Sequence, residues 1–169
     1  KVIHAKGALG CRNQGEDMGF VHNAIAVLMG PTGCGKSAIA LELAAMRPTV
    51  IINADAMQMV DGLRVITARP SIAEEAQAEH ALYGVLAPHQ PTTVANWLAL
   101  VEPVIRRAWA QGKLPLLVGG TGMYVKALME GLATIPPIPD AVRATLRGMD
   151  ARDVRAQLEA QDPEMAAQL

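Results

Sequence analysis

The chain has 169 residues, 51% of them hydrophobic, which suits one globular domain with the beginning of a second. Fifteen Lys plus Arg against sixteen Asp plus Glu give a formal net charge of -1, which excludes a global pull toward nucleic acid and leaves only a local patch for such a partner. Two cysteines, Cys11 and Cys34, supply no disulfide framework, no apolar run is long enough to span a bilayer, and residues 1–20 lack the continuous apolar stretch of a secretory signal, so a cytoplasmic protein without a membrane segment is expected.

Residues 1–20, with Gly7, Gly10, Gly15 and Gly19 among polar groups, show no period and are read as an unassigned N-terminal extension. Ala24-Ile25-Ala26-Val27-Leu28-Met29 reads as a fully buried strand, since a short apolar run ending at Gly-Pro fits a central parallel strand. Gly30-Pro31-Thr32-Gly33-Cys34-Gly35-Lys36-Ser37 follows at once. The next stretch carries Ile39, Leu43 and Met46 at helical spacing and is punctuated by Pro48. Val50-Ile51-Ile52 is a second strand, closed by Asn53-Ala54-Asp55.

From Trp97 the positions Leu100, Val101, Val104, Ile105 and Ala108 share one helical face, with Arg106, Arg107 and Gln111 on the other and Gly112 at the end. Pro103 either kinks this helix or marks its first turn. Leu114-Pro115-Leu116-Leu117-Val118 is the next buried strand, running through Gly119-Gly120-Thr121 into a helix from about 122 to 130. The alternation predicts an α/β fold, a parallel sheet with helices on both faces. It places a core at 21–135, and beyond the break at Pro136, Pro137 and Pro139 a helical segment, 136–169, with a thin apolar face. Nine methionines against a single Phe make a soft, aliphatic core, with Trp97 anchoring the long helix to the sheet.

The glycine-rich octapeptide between a buried strand and a helix is a phosphate-binding P-loop. Gly30, Gly33 and Gly35 let backbone amides, with Pro31, Thr32 and Cys34 between and beside them, converge on phosphate oxygens; the helix N-terminus adds its dipole, Lys36 a point charge, and Ser37 a hydroxyl for Mg²⁺. Asp55 ends the second strand at the rim where ligands sit in an open α/β sheet, as a general base, a metal-ordering carboxylate or a turn cap. Thr121 stands where many ATPases carry a Walker B acid, either as an N-cap or beside a ligand approached through the two glycines. His80 and His89 lack metal-ligand spacing and read as turn or surface residues.

Four segments, GPTGCGKSAIALELA from Gly30, IINADAMQM with the later TARPS, LPLLVGGTGMYVKALMEGL from Leu114 and IPDAVRATL around Arg143, make the chain resemble the tRNA dimethylallyltransferases, or tRNA isopentenyltransferases, over roughly 24–169. The resemblance implies an enzyme that moves a dimethylallyl group from its diphosphate to the exocyclic amine of the adenosine 3′ of the anticodon. Residues 30–37 would hold the diphosphate with Mg²⁺ at Ser37, while Asp55 takes the proton and Thr121 helps place the amine. Asp55, Ala56, Met57, Gln58, Thr121 and Arg143 would touch the tRNA anticodon stem-loop. Segment 136–169 would begin a helical tRNA-binding insertion, its Arg143, Arg147, Arg152 and Arg155 outnumbered by acids. A monomer is expected, and the natural protein is expected to be longer.

Ala56, Val60 and Ile66 depart from the family pattern of a serine, an aromatic residue and a glycine. Three other readings remain at this point. One is an adenylate isopentenyltransferase acting on free AMP or ATP; the second is a small-molecule P-loop kinase; the third is a non-catalytic nucleotide-binding module.

Overall fold

The computed structural model describes residues 2–5, 23–133 and 138–168. Cys11, most of the N-terminal extension and the prolines at 136 and 137 lie outside the described residues. The chain divides into two compact units, residues 1–132 and 133–169.

The first unit is built on a sheet of order β1-β2-β5-β3-β4, from β1 (Val2–Ala5), β2 (Ile25–Met29), β3 (Thr49–Asn53), β4 (Glu79–Ala81) and β5 (Leu114–Gly119). β2, β5, β3 and β4 run parallel, while β1 lies antiparallel on the β2 edge. β1 is not legible in the sequence, because four residues without a period give no signal on their own; β2 supplies the partner. In register, Val27 pairs with Leu117 and Ile52 with Leu117, while Leu28 pairs with Val118 and Ile51 with Leu116. Side chains alternate along a strand, so Val27, Val50, Ile52 and Leu117 fall in one core and Leu28, Ile51, Leu116 and Val118 in the other. The first core is closed by α3 (Val94–Ala110) and α4 (Gly122–Glu130), the second by α1 (Lys36–Met46). This is the parallel α/β sheet with helices on both faces that the apolar runs predict.

The helices sit in a different rotation from the one that bulk alone suggests. In α1 the fully buried residue is Ala40, with Leu41, Leu43 and Ala44 packed beside it, while Ile39 is 44% and Met46 82% exposed. The P-loop fixes the first turn so that Lys36 and Ser37 line a cavity, and that requirement sets which side meets the sheet. In α3 the buried positions are Trp97, Val101, Ile105 and Ala108, and Leu100 is turned outward. The helix begins at Val94 because the Thr93 side chain accepts from the Asn96 amide at 3.1 Å. Pro103 lies inside the helix on an exposed side, so it marks neither a start nor an end; the carbonyl it leaves without an intrahelical partner belongs to the exposed Ala99. Trp97 stacks on Tyr124 at 4.6 Å and its indole N–H donates to the Asn53 carbonyl at 3.0 Å, tying α3 to the end of β3.

Between β3 and α3 the sequence shows little periodicity, and the structure has short elements there: a 3₁₀ turn at Met57–Met59, α2 (Ile72–Glu75) and β4. α2 is only four residues long but carries a full capping box between Ser71 and Glu74. The Ser71 hydroxyl and amide hold the Glu74 carboxyl below its ordinary value. His80 lies within β4 and not in a turn, edge-on to Tyr83.

The second unit holds α5 (Asp140–Arg147), α6 (Ala151–Gln161) and α7 (Pro163–Ala166). Asp150 caps α6 by accepting from the Arg152 amide, and Asp162 caps α7 by accepting from the Met165 amide. Val142, Leu146 and Met165 are all more than two-fifths exposed, in keeping with the thin apolar face. Among the described residues no helix is long and apolar enough to cross a membrane.

Candidate active site

The loop from Gly30 to Gly35 joins β2 to α1 with Gly33 and Gly35 at φ of 80° and 83°, the left-handed region that side chains resist. Gly30 has another reason to be glycine: a Cβ there would lie 2.9 Å from the Cys34 sulfur. Lys36, the first residue of α1, folds its ammonium back over the loop and donates to the carbonyls of Gly30 and Pro31 at 2.8 and 2.7 Å, with Cys34 Sγ at 3.8 Å. One charge therefore closes the loop and remains at its mouth. Cys34 is a free, exposed thiol.

The second part of the site is the end of β3, and a buried amide organises it. Asn53 is fully buried, and its Nδ2 donates to the carbonyls of Asp55 at 2.9 Å and Leu82 at 3.0 Å, while its Oδ1 accepts from the Asp55 amide at 2.9 Å. The backbone around Asp55 is thus gripped from both sides. Asp55 Oδ1 accepts from the Met57 amide at 2.9 Å, starting the 3₁₀ turn, and among the described residues Oδ2 has no hydrogen-bond partner. Asp55 is evident from the sequence and Asn53 is not; the only signal for Asn53 there is a lone amide closing a largely apolar strand.

The third part is the end of β5. A Cβ on Gly119 would lie 2.2 Å from the Ala54 carbonyl oxygen, so the two strand ends meet backbone to backbone. The Ala54 carbonyl accepts from the Thr121 amide at 3.2 Å, and Thr121 Oγ1 accepts from the Ala56 amide at 3.2 Å. Thr121 occupies the N-cap of α4 but makes no capping bond with its side chain; its oxygen accepts from the segment that carries Asp55, and its O–H donor is left over. Of the two glycines before it, Gly119 admits the neighbouring strand, and Gly120 lies beside Asp55 Oδ2.

These parts surround a cavity of about 270 Å³ lined by Thr32, Gly33, Gly35, Lys36, Ser37 and Ala38 from the P-loop, Asp55 and Gln58 after β3, Ala68, and Val118 and Gly119 from β5. Lys36, Ser37 and Asp55, predicted separately from sequence, share this one space. Ala56 and Thr121 adjoin it through their mutual hydrogen bond, and Met57 is exposed beside them. Near it Tyr83 is held above its usual phenol range by burial first, then by the charges of Glu75 and Asp55, with Arg69 opposing; it stays neutral. Arg143 is on α5 in the second unit, exposed, its Nε donating to the Ile138 carbonyl at 3.5 Å.

The family model described as IPP transferase matches residues 58–169, and one described as isopentenyl transferase matches residues 23–83. The chain belongs to the IPP transferase family. Within it, a tRNA dimethylallyltransferase of Methylobacterium sp. (strain 4-46) is 52% identical over 147 residues, 85% of this chain and 48% of that protein. Another, of Rhodospirillum centenum (strain ATCC 51521 / SW), is 47% identical over 149 residues, 86% of this chain and 48% of that one. This IPP transferase chain therefore spans about half the length of the curated relatives it matches. Among solved structures, a tRNA isopentenylpyrophosphate transferase from Bacillus halodurans superposes with a TM-score of 0.62 at 29% identity, over 85% of this chain and 49% of that one. A eukaryotic dimethylallyltransferase acting on tRNA gives 0.74 at 23% identity, over 85% and 37%, a likeness of fold.

Proposed function

We propose that the protein transfers a dimethylallyl group from its diphosphate to the exocyclic amine of the adenosine 3′ of the anticodon in tRNA. The observation that carries this reading is one cavity that joins a phosphate-binding loop to a carboxylate, Asp55, whose Oδ2 has no hydrogen-bond partner among the described residues. The P-loop amides and Lys36 would hold the donor's diphosphate and stabilise the charge that grows on it as the C–O bond to the prenyl carbon breaks. Lys36 is already fixed by two carbonyls, so little reorganisation is needed. Asp55 would accept a hydrogen bond from the adenine amine and then its proton as the new C–N bond forms. Thr121 and Asn53 would act on the amine indirectly by holding the backbone on either side of Asp55.

The donor set suits Mg²⁺. Ser37 offers a hard oxygen at the cavity wall, Asp55 a carboxylate in the same space, and among the described residues no group of three His, Cys, Asp or Glu could make a protein-only cage. A magnesium ion held by Ser37, phosphate oxygens and water is the usual compromise, and it would supply charge neutralisation for the leaving diphosphate. Arg143 would meet the anticodon arm, on the strength of the IPDAVRATL segment; because acids outnumber the arginines of the second unit, most phosphate contacts would come from elsewhere.

The deciding experiment offers the protein dimethylallyl diphosphate with an anticodon stem-loop, with free AMP, or with neither but with ATP and small hydroxyl acceptors. Prenyl transfer to the stem-loop alone is expected. Transfer to AMP would make the protein an adenylate isopentenyltransferase, and phosphoryl transfer would make it a kinase.

A further inference from the structure

Ala68 lines the phosphate cavity with φ of 51°, in the left-handed region that favours glycine. Besides the backbone bonds from the Ala68 amide to the Val65 carbonyl at 3.1 Å and from the Arg69 amide to the Arg64 carbonyl at 2.9 Å, three further sets of contacts hold the segment that contains it. Gln58 Nε2 donates to the carbonyls of Thr67 at 2.9 Å and Ala68 at 3.3 Å. Thr67 is fastened in turn to Leu63, through both its amide and its hydroxyl. The third set is a charged knot. Glu75 on α2 accepts from Arg69 Nε at 3.3 Å and from Arg64 Nη2 at 3.1 Å, Arg69 Nη1 lies 3.5 Å from Asp61, and Arg64 also donates to the Pro70 carbonyl. Arg69 is the hub of this knot. Its side chain is only 11% exposed, and its guanidinium lies so close to Gly84 that a Cβ there would collide with it. Burial alone would raise the Glu75 carboxyl, but the hydrogen bonds and charges of the two arginines outweigh it and hold it below its ordinary value.

Neither Arg64 nor Arg69 lines the cavity, and both are matched by carboxylates. Their charge is spent within the segment that carries Ala68. We infer that Arg69 is a positioning residue: through Glu75, Asp61 and the following helix it keeps Ala68 left-handed, and so keeps the cavity wall at Ala68 and Gln58 fitted to the diphosphate. The inference rests on the donor reading above, because it concerns the same cavity. Gln58 also follows Asp55 by one short turn, so the wall that meets the diphosphate and the turn that carries the carboxylate are one connected piece.

The test is binding of inorganic diphosphate with Mg²⁺ by calorimetry, in the whole protein and far below its melting temperature, so that stability and fit are read separately. Arg69→Ala should raise Kd at least tenfold. Adding Ala68→Gly should recover at least threefold, because glycine lacks the penalty that disfavours alanine in this conformation by a factor of about five or more. Should Arg69→Ala fail to fold, Glu75→Gln replaces it; it leaves the guanidinium packed on Gly84 and should raise Kd about threefold, again with recovery by Ala68→Gly. Unchanged Kd in the folded variants, or no recovery on adding the glycine, overturns the inference while leaving the donor reading intact. If the unsubstituted protein binds no diphosphate, the donor reading falls, and this inference with it.

Discussion

Asn53→Ala tests whether the site is built by a buried amide. The substitution removes the hydrogen bonds to the carbonyls of Asp55 and Leu82 and from the amide of Asp55, the one to Leu82 being fully buried. At a net worth of about 0.5–1.5 kcal/mol each, and with the Leu82 carbonyl left dry, the loss should be roughly 2–4 kcal/mol. That corresponds to a fall in Tm on the order of 10 °C for a unit of this size. Asn53→Asp is the sharper control. It keeps an acceptor for the Asp55 amide but turns an oxygen toward two carbonyls, so at pH 7 it should be less stable than Asn53→Ala. The introduced carboxyl should titrate higher in the folded than in the unfolded chain. Its penalty is therefore absent below the unfolded pKa of about 4, grows as pH rises from there to the folded one, and is complete above it. Urea denaturation of the three proteins at pH 4 and pH 7 reads both effects. Equal stability of Asn53→Asp and the parent at pH 7 would refute the assignment of donor and acceptor roles to this side chain.

Lys36→Ala should weaken diphosphate binding by about 10- to 100-fold, the worth of a charge-assisted contact, and slow transfer as well; near-normal turnover would remove the P-loop from the reaction. Gly119→Ala puts a Cβ 2.2 Å from the Ala54 carbonyl between the central strands, and should cost more than about 4 kcal/mol, seen as loss of a cooperative urea transition at the parent midpoint. A well-folded variant would mean that the strand ends are looser than they stand here. Arg143→Ala should weaken stem-loop binding, lower the slope of log K against log salt by about 1 and spare diphosphate binding. Equal loss of both ligands would instead indicate a folding defect.

The parts of the site that rest on local chemistry were legible in the sequence. The P-loop needs its glycines, lysine and serine at fixed spacing between a strand and a helix, and Asp55 follows an apolar strand long enough to be recognised. Where the sequence misled, the cause lay in tertiary constraint. The face of α1 is set by the cavity that Lys36 and Ser37 must line, so small Ala40 is buried and Met46 is not. Thr121 stands at the N-cap of α4, but its Oγ1 accepts from the Ala56 amide instead of capping the helix. The stretch between Met57 and Tyr83 gives no periodic signal because it is held by single contacts: the Arg69 and Glu75 pair, the Gln58 amide and the Ser71 capping box. Such contacts become visible only when residues distant in sequence are brought together.

The most direct test of the account is Asp55→Asn in a single-turnover transfer from dimethylallyl diphosphate to an anticodon stem-loop, with binding of each substrate measured separately. The amide keeps the size of the side chain and an acceptor for the Met57 amide, so both substrates should bind as they do to the parent. The chemical step should slow by about 10²- to 10⁴-fold, the usual worth of a general base. Transfer at the parent rate would contradict the central claim and reduce Asp55 to a turn cap or a metal-ordering group.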